Sequence, residues 1–165
     1  MKYVAIFFFS LLMFISVSCA GDKPELEWRT FNRGLTEARS THKKIMLDVY
    51  TDWCKWCKKL DSEVYSEDKV AAYLKKEFVV IKLNAESDQQ LTYKGKRSSE
   101  MQLAHAFGVE GYPTIIFLDP NGDNITSIPG FVPAEKFLPI LHYIGEDHYK
   151  SMSWEDYQNS STRKD

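Results

Sequence analysis

Cys54 and Cys57 stand three residues apart in the run Asp52-Trp53-Cys54-Lys55-Trp56-Cys57-Lys58-Lys59. Two thiols at that spacing can do sulfur chemistry if one is ionised and the other can reach it. Where Cys54 opens a helix, unpaired backbone N–H groups, the positive end of the helix dipole and the nearby lysines all favour its thiolate. With a pKa of ~8.5 only about 3% of a thiol is ionised near neutrality, whereas a pKa of ~7 ionises about half. Cys57 falls on the same helix face one turn inward, so it can close a disulfide with Cys54 and release a partner held there.

Rival uses of the pair are weaker. A four-ligand zinc site needs two further ligands at short spacing, and there is no second cysteine pair; the nearest double histidine, His142 and His148, is remote in sequence. Haem attachment needs His directly after the second Cys, where Lys58 stands. A permanent disulfide suits an exported protein, but so short a loop removes little unfolded-state entropy. A strand-to-helix junction is also an unusual place for a mere staple, so the pair is read as redox-active. Asp48 is the other candidate. It interrupts the apolar run KIMLDVYT, and a buried acid is costly unless paired or protonated, so burial should raise its pKa into the range useful for proton transfer. The competing reading puts Asp48 on the strand's solvent side.

These residues need a scaffold, and the chain predicts alternating helices and strands. Trp28, Phe31, Leu35 and Ala38 recur at helical spacing and predict a helix over Glu25 to Thr41. Strands are expected over Lys44 to Thr51 and Phe78 to Leu83, with helices over Asp52 to Leu60 and Glu67 to Lys76. Ser87 to Arg97 is polar, contains Gly95 and reads as a surface loop. Its Lys94, Lys96 and Arg97 could guide an acidic partner, although such clusters are commonly just solvated. Ser99 with Gln102 forms a capping box for a short helix ending at Gly108. Thr114 to Leu118 and Asn124 to Ile128 are strands joined through Asn121-Gly122, a hairpin signal. A last helix follows Pro133, and Pro139 should kink or split it. Trp154 and Tyr157 anchor one further turn, and Ser160 to Asp165 reads as a frayed end. His105 is placed on a helix and the other histidines at the surface, none with a role.

The chain has 165 residues, 44% apolar, 14% aromatic and 27% charged, enough for one domain with a substantial core. A net charge of -2 removes the broad positive field of sequence-independent nucleic-acid binding. Lys2 precedes an apolar run from Tyr3 to Val17, then come the small residues Ser18, Cys19 and Ala20. This layout predicts a signal peptide over residues 1–20. The apolar run is shorter than the ~20 residues a membrane-spanning helix needs. Cleavage after Ala20 would leave a soluble protein, and cleavage before Cys19 would leave a thiol to carry lipid. Ser16 stands where lipoprotein signals usually carry an aliphatic residue, and both forms stay open. The domain is then expected over 21–150, with a C-terminal extension over 151–165.

The Asp-Trp-Cys-Lys-Trp-Cys-Lys segment after an apolar strand, Asp48 six residues before Cys54, and the step Tyr112-Pro113-Thr114 before a later strand together resemble the thioredoxin superfamily. The likeness is strongest to the C-terminal periplasmic domain of DsbD-type thiol:disulfide interchange proteins, and covers about Lys43 to Ile144. It implies an α/β thioredoxin fold, a central mixed β-sheet flanked by helices, here with an N-terminal helix and a short C-terminal extension. It implies that Cys54 attacks, Cys57 resolves, and Asp48 helps move the proton of the inner thiol. It places Pro113 after a cis peptide bond beside the cysteines, with the Tyr112 backbone offered to a partner chain. Trp53 and Trp56 would form an apolar docking rim, although a core position for Trp53 is an equal alternative. The implied activity is thiol-disulfide exchange with protein partners, with no metal or organic cofactor and no nucleic acid. A reductase in an exported compartment would further need a membrane electron donor. A non-catalytic binding module, or an oxidase or isomerase, are the alternatives. Lys55-Trp56 stands where thioredoxin has Gly-Pro, and the predicted first helix replaces thioredoxin's leading strand.

Overall fold

Lys44–Tyr50 (β1) lies inside a four-stranded sheet, parallel to Phe78–Asn84 (β2) on one side and antiparallel to Thr114–Leu118 (β5) on the other. Asn124–Pro129 (β6) completes the order β2-β1-β5-β6, antiparallel to β5. The structure, a computed structural model, describes residues 25–162. The expected signal peptide, Cys19 and residues 163–165 lie outside the described residues.

Five of the seven β1 residues are fully enclosed, because helices cover both faces of the sheet. Ile45, Leu47 and Val49 join Phe31, Leu35 and Ala38 of the helix Phe31–Thr41 (α1) on one face. Met46 points the other way, onto Leu60, Val64, Leu74, Phe137 and Leu141. Those side chains come from Lys55–Leu60 (α2), a π-helical turn over Asp61–Tyr65, Asp68–Glu77 (α3) and Ala134–Gly145 (α5). By the alternation of a strand, Asp48 shares the face of Met46.

The sequence expectation fails at several places. The helix expected from Glu25 begins only at Phe31; Thr30 is extended, and Arg29 runs alongside β2, its N–H 2.9 Å from the Val80 carbonyl. Trp28 matches the helical spacing by coincidence: it packs against Tyr65 on the opposite face from Phe31. The chain therefore keeps a short extended lead-in rather than replacing it with helix.

The polar segment read as a loop is mostly a hairpin, Gln90–Tyr93 (β3) with Lys96–Ser99 (β4). Lys94 and Gly95 supply the positive φ values, 50° and 77°, that a two-residue turn requires. Only Leu91 of β3 is buried, so apolar alternation is too short to see, and Asn32 substitutes for a neighbouring strand. Its side chain donates to the Thr92 carbonyl at 2.8 Å and accepts the Thr92 N–H at 3.0 Å. The expected Ser99–Gln102 capping box is formed, and opens Glu100–Ala106 (α4).

Helix α5 is not split at Pro139. Pro139 and Glu135, four residues earlier, are both exposed, so the carbonyl deprived of its donor lies on the solvent side. Of the end expected to fray, residues 160–162 continue the helix Trp154–Thr162 (α6), which Trp154 and Tyr157 dock on Tyr143, each with ring centres 5.2 Å away.

Candidate redox site

The site begins where β1 stops. Thr51 accepts the Cys54 N–H at 3.2 Å across a tight turn, and Cys54 caps α2 in extended conformation. The Cys57 N–H donates to Cys54 Sγ at 3.1 Å, and the two sulfurs are joined as a disulfide with their Cα atoms 5.3 Å apart. The helix thus starts three residues later than expected, since Asp52 and Trp53 belong to the turn and Cys54 to the cap. A backbone donor aimed at Cys54 Sγ favours the anionic form once the disulfide opens. Both cysteines are buried, Cys54 at 3% and Cys57 at 2% exposure.

Asp48 is fully buried, which excludes the solvent-facing alternative. It lies opposite Lys82 in the β1–β2 register, and Lys82 Nζ donates to Asp48 Oδ2 at 2.6 Å and to Asp61 Oδ1 at 2.5 Å. The ammonium also sits over Trp28, Tyr50 and Tyr65, 4.6, 5.1 and 5.5 Å from the ring centres. Burial pushes the Asp48 carboxyl up to about 6, against the opposing pull of Lys82 and with a small further push from Asp61. Burial also works against the charge of Lys82, but the two carboxylates and their hydrogen bonds outweigh it and raise its pKa. Asp48 Oδ1, Thr51 Oγ1 and Tyr65 Oη are buried without a hydrogen-bond partner among the described residues. Unsatisfied polar atoms inside a core call for an explanation beyond packing.

Sequence reasoning missed Lys82 and Asp61. The signal for Lys82 was available: the apolar runs of FVVIKL and KIMLDVY are each interrupted by a charge at the fifth position, and two parallel strands in register bring those charges together. Asp61 had no such signal, because it depends on the helix changing to π-helical hydrogen bonding after Leu60.

The Tyr112–Pro113 peptide bond is cis. Trp53 and Trp56 are 64% and 55% exposed, which excludes the core position for Trp53. Trp53 packs edge-on against Tyr112 at 6.0 Å and donates through its indole N–H to Glu86 at 2.9 Å. Trp56 packs on Phe131 at 5.5 Å, and Lys59 lies 5.2 Å from both rings. Trp56, Tyr112, Gly130 and Phe131 line an open groove of about 370 Å³. Elsewhere, His142 and His148 are half-buried and flank Glu146 at 2.6 and 3.2 Å, while His105 lies on α4. No three His, Cys, Asp or Glu side chains converge as a metal ion would require among the described residues. No helix among them is long and apolar enough to cross a membrane.

A central mixed sheet with helices on both faces, and a CxxC pair where the middle strand meets a helix, define the thioredoxin fold. A family model for the thioredoxin-like domain matches residues 31–145, and the chain belongs to that family. At that level it is a thiol-disulfide oxidoreductase-like protein. It is 33% identical over 106 residues to the thiol:disulfide interchange protein DsbD of Yersinia pestis (strain Pestoides F), covering 63% of this chain and 16% of that protein. The chain thus spans about a sixth of the length of the curated relatives it matches. Solved structures share the fold. A thioredoxin from Thermus thermophilus superposes with a TM-score of 0.59 at 24% identity, over 72% of this chain and 86% of that one. The DsbD C-terminal domain of Neisseria meningitidis, in its reduced form, gives 0.52 at 24% identity over 67% and 90%.

Proposed function

We propose that this protein is an exported protein-disulfide reductase. The observation that carries the reading is the cap geometry: Cys54 Sγ receives the Cys57 N–H and is bonded to Cys57 Sγ, so one sulfur is poised as nucleophile and the other to resolve it. The Cys54 thiolate attacks a partner disulfide; a mixed disulfide forms as the partner S–S bond breaks, and the released partner thiolate takes up a proton. Cys57 then loses its proton to the Asp48 carboxylate, and its sulfur attacks Cys54 Sγ. The Cys54–Cys57 bond forms, the mixed disulfide breaks, and the second partner thiolate leaves and is protonated. Two electrons pass to the partner, and the chain is left oxidised.

Asp48 is suited to hold that proton because its carboxyl titrates near neutrality on the sheet face that α2 covers. In this reading Trp53, Trp56, Tyr112 and Pro113 receive the partner chain, residues 1–20 direct export, and Cys19 carries lipid if cleavage precedes it. A membrane-bound dithiol donor restores the reduced form. Insulin reduction tests the activity, with Cys54→Ser as control; a wild type no faster than this variant would leave only a binding module. The reduction potential against glutathione tests the direction: a value near about -270 mV supports the reductase, and one near about -120 mV would make the protein an oxidant.

A further inference from the structure

The mouth of the site has two unlike sides. Beside Trp53 stand the carboxylates of Asp52 and Glu86, Glu86 being held by the indole N–H. Beside Trp56 stands Lys59, and Lys55, four residues before Lys59, shares its side of the helix, with no carboxylate in the first turn of α2. Lys59 lies over the Trp56 and Phe131 rings, and its ion pair with Glu63 is loose, 3.6 Å between two solvent-exposed side chains. Lys55 and Lys58 are exposed and have no ion pair among the described residues. Lys58 and Lys59 fall in the last turn of α2, where a cation suits the dipole, whereas Lys55 opens the helix, where a cation opposes it and does not serve its stability. The groove between Trp56, Tyr112 and Phe131 is apolar where the rings face it, and the Lys59 ammonium stands over the Trp56 and Phe131 rings that form one wall.

We propose that this groove selects its partner by charge: it takes a polypeptide segment with an apolar side chain for the Trp56–Phe131 wall and Asp or Glu for the α2 lysines. This rests on the reading that the dithiol reacts with protein disulfides, and names the class of protein disulfide it prefers. The rings provide apolar contact, while the lysines provide attraction that reaches beyond contact distance at low salt and is screened at high salt. Two like-charged rims would repel each other, so basic flanks on a partner are disfavoured on this side.

The test uses two disulfide-linked peptides, identical except that the cysteine is flanked by a Leu with two Asp or by a Leu with two Lys, and 2-hydroxyethyl disulfide as an uncharged reporter. The reduced protein is expected to react with the Asp peptide at least tenfold faster than with the Lys peptide at low ionic strength. The preference should shrink to about twofold in 0.5 M salt. In the double variant Lys55→Glu, Lys59→Glu the preference should reverse. Taking the ratio of the two peptides removes any change in the intrinsic reactivity of Cys54, which those lysines also influence. Equal rates for both peptides, a preference for the Lys peptide, or a ratio untouched by the double variant would overturn the proposal while leaving the reductase reading intact. Failure of both peptides and of 2-hydroxyethyl disulfide would bring down the reductase reading, and the proposal with it.

Discussion

Asp48 and Lys82 occupy facing positions on two parallel strands, and their side chains meet at 2.6 Å on the sheet face that α2 covers. The pair is unequal: Asp48 is sealed from solvent, while Lys82 is one-fifth exposed and shared with Asp61. Half a cation does not fully offset the loss of water around the carboxylate, so its pKa stands at about 6 rather than near 3.8.

The consequence for stability has a definite sign. Between about pH 4 and 6 the folded protein holds a proton that the unfolded chain releases, so the oxidised protein loses stability as pH rises through that window and levels off above it. The loss is on the order of 2–3 kcal/mol. Asp48→Asn removes the titration, so its urea midpoint should stay flat from pH 4 to 8 and exceed that of the wild type at pH 8.

In the proposed mechanism the same variant deprives Cys57 of its proton acceptor. Resolution of the mixed disulfide should slow by roughly 10²-fold at pH 7, the scale of a general base. Stopped-flow tryptophan fluorescence of peptide reduction would measure it, with the first attack by Cys54 changed far less.

Lys82→Gln takes away the charge that holds the Asp48 pKa down. The carboxyl should titrate above 6, so the pH window over which stability falls moves upward, as a urea series at stepped pH would show.

Gly34 sets how closely α1 approaches the sheet. A Cβ there would lie 2.4 Å from Ile81 Cγ1 and Cδ1. The better helix propensity of alanine, worth about 1 kcal/mol, is smaller than the strain of overpacking. Gly34→Ala should therefore lower stability by about 2 kcal/mol in chemical denaturation, although a surface glycine in a helix would respond the other way.

Legibility in the sequence followed the range of the interaction. The cysteine pair, the capping box at Ser99 and the strand carrying Asp48 announce themselves within a few residues, because helix caps and strand burial are local. Trp28 misled because a single residue at helical spacing does not reveal which layer it enters. The β3–β4 hairpin was hidden because it is completed by the amide of Asn32, some 60 residues away in the chain. Lys82 joined the site through the parallel register of two strands that each carry a charge at the fifth position, a signal present but unused, whereas Asp61 joined it through the π-helical turn after α2, which no local pattern encodes.

The most direct measurement is alkylation of the reduced protein by iodoacetamide across a pH series, with the modified cysteine identified by mass spectrometry. One carboxamidomethyl group is expected, on Cys54, with a midpoint well below the ~8.5 of an ordinary thiol, and Cys57 is expected to stay unmodified at neutral pH. Reaction first at Cys57, or silence of both thiols until pH rises past about 9, would contradict the account.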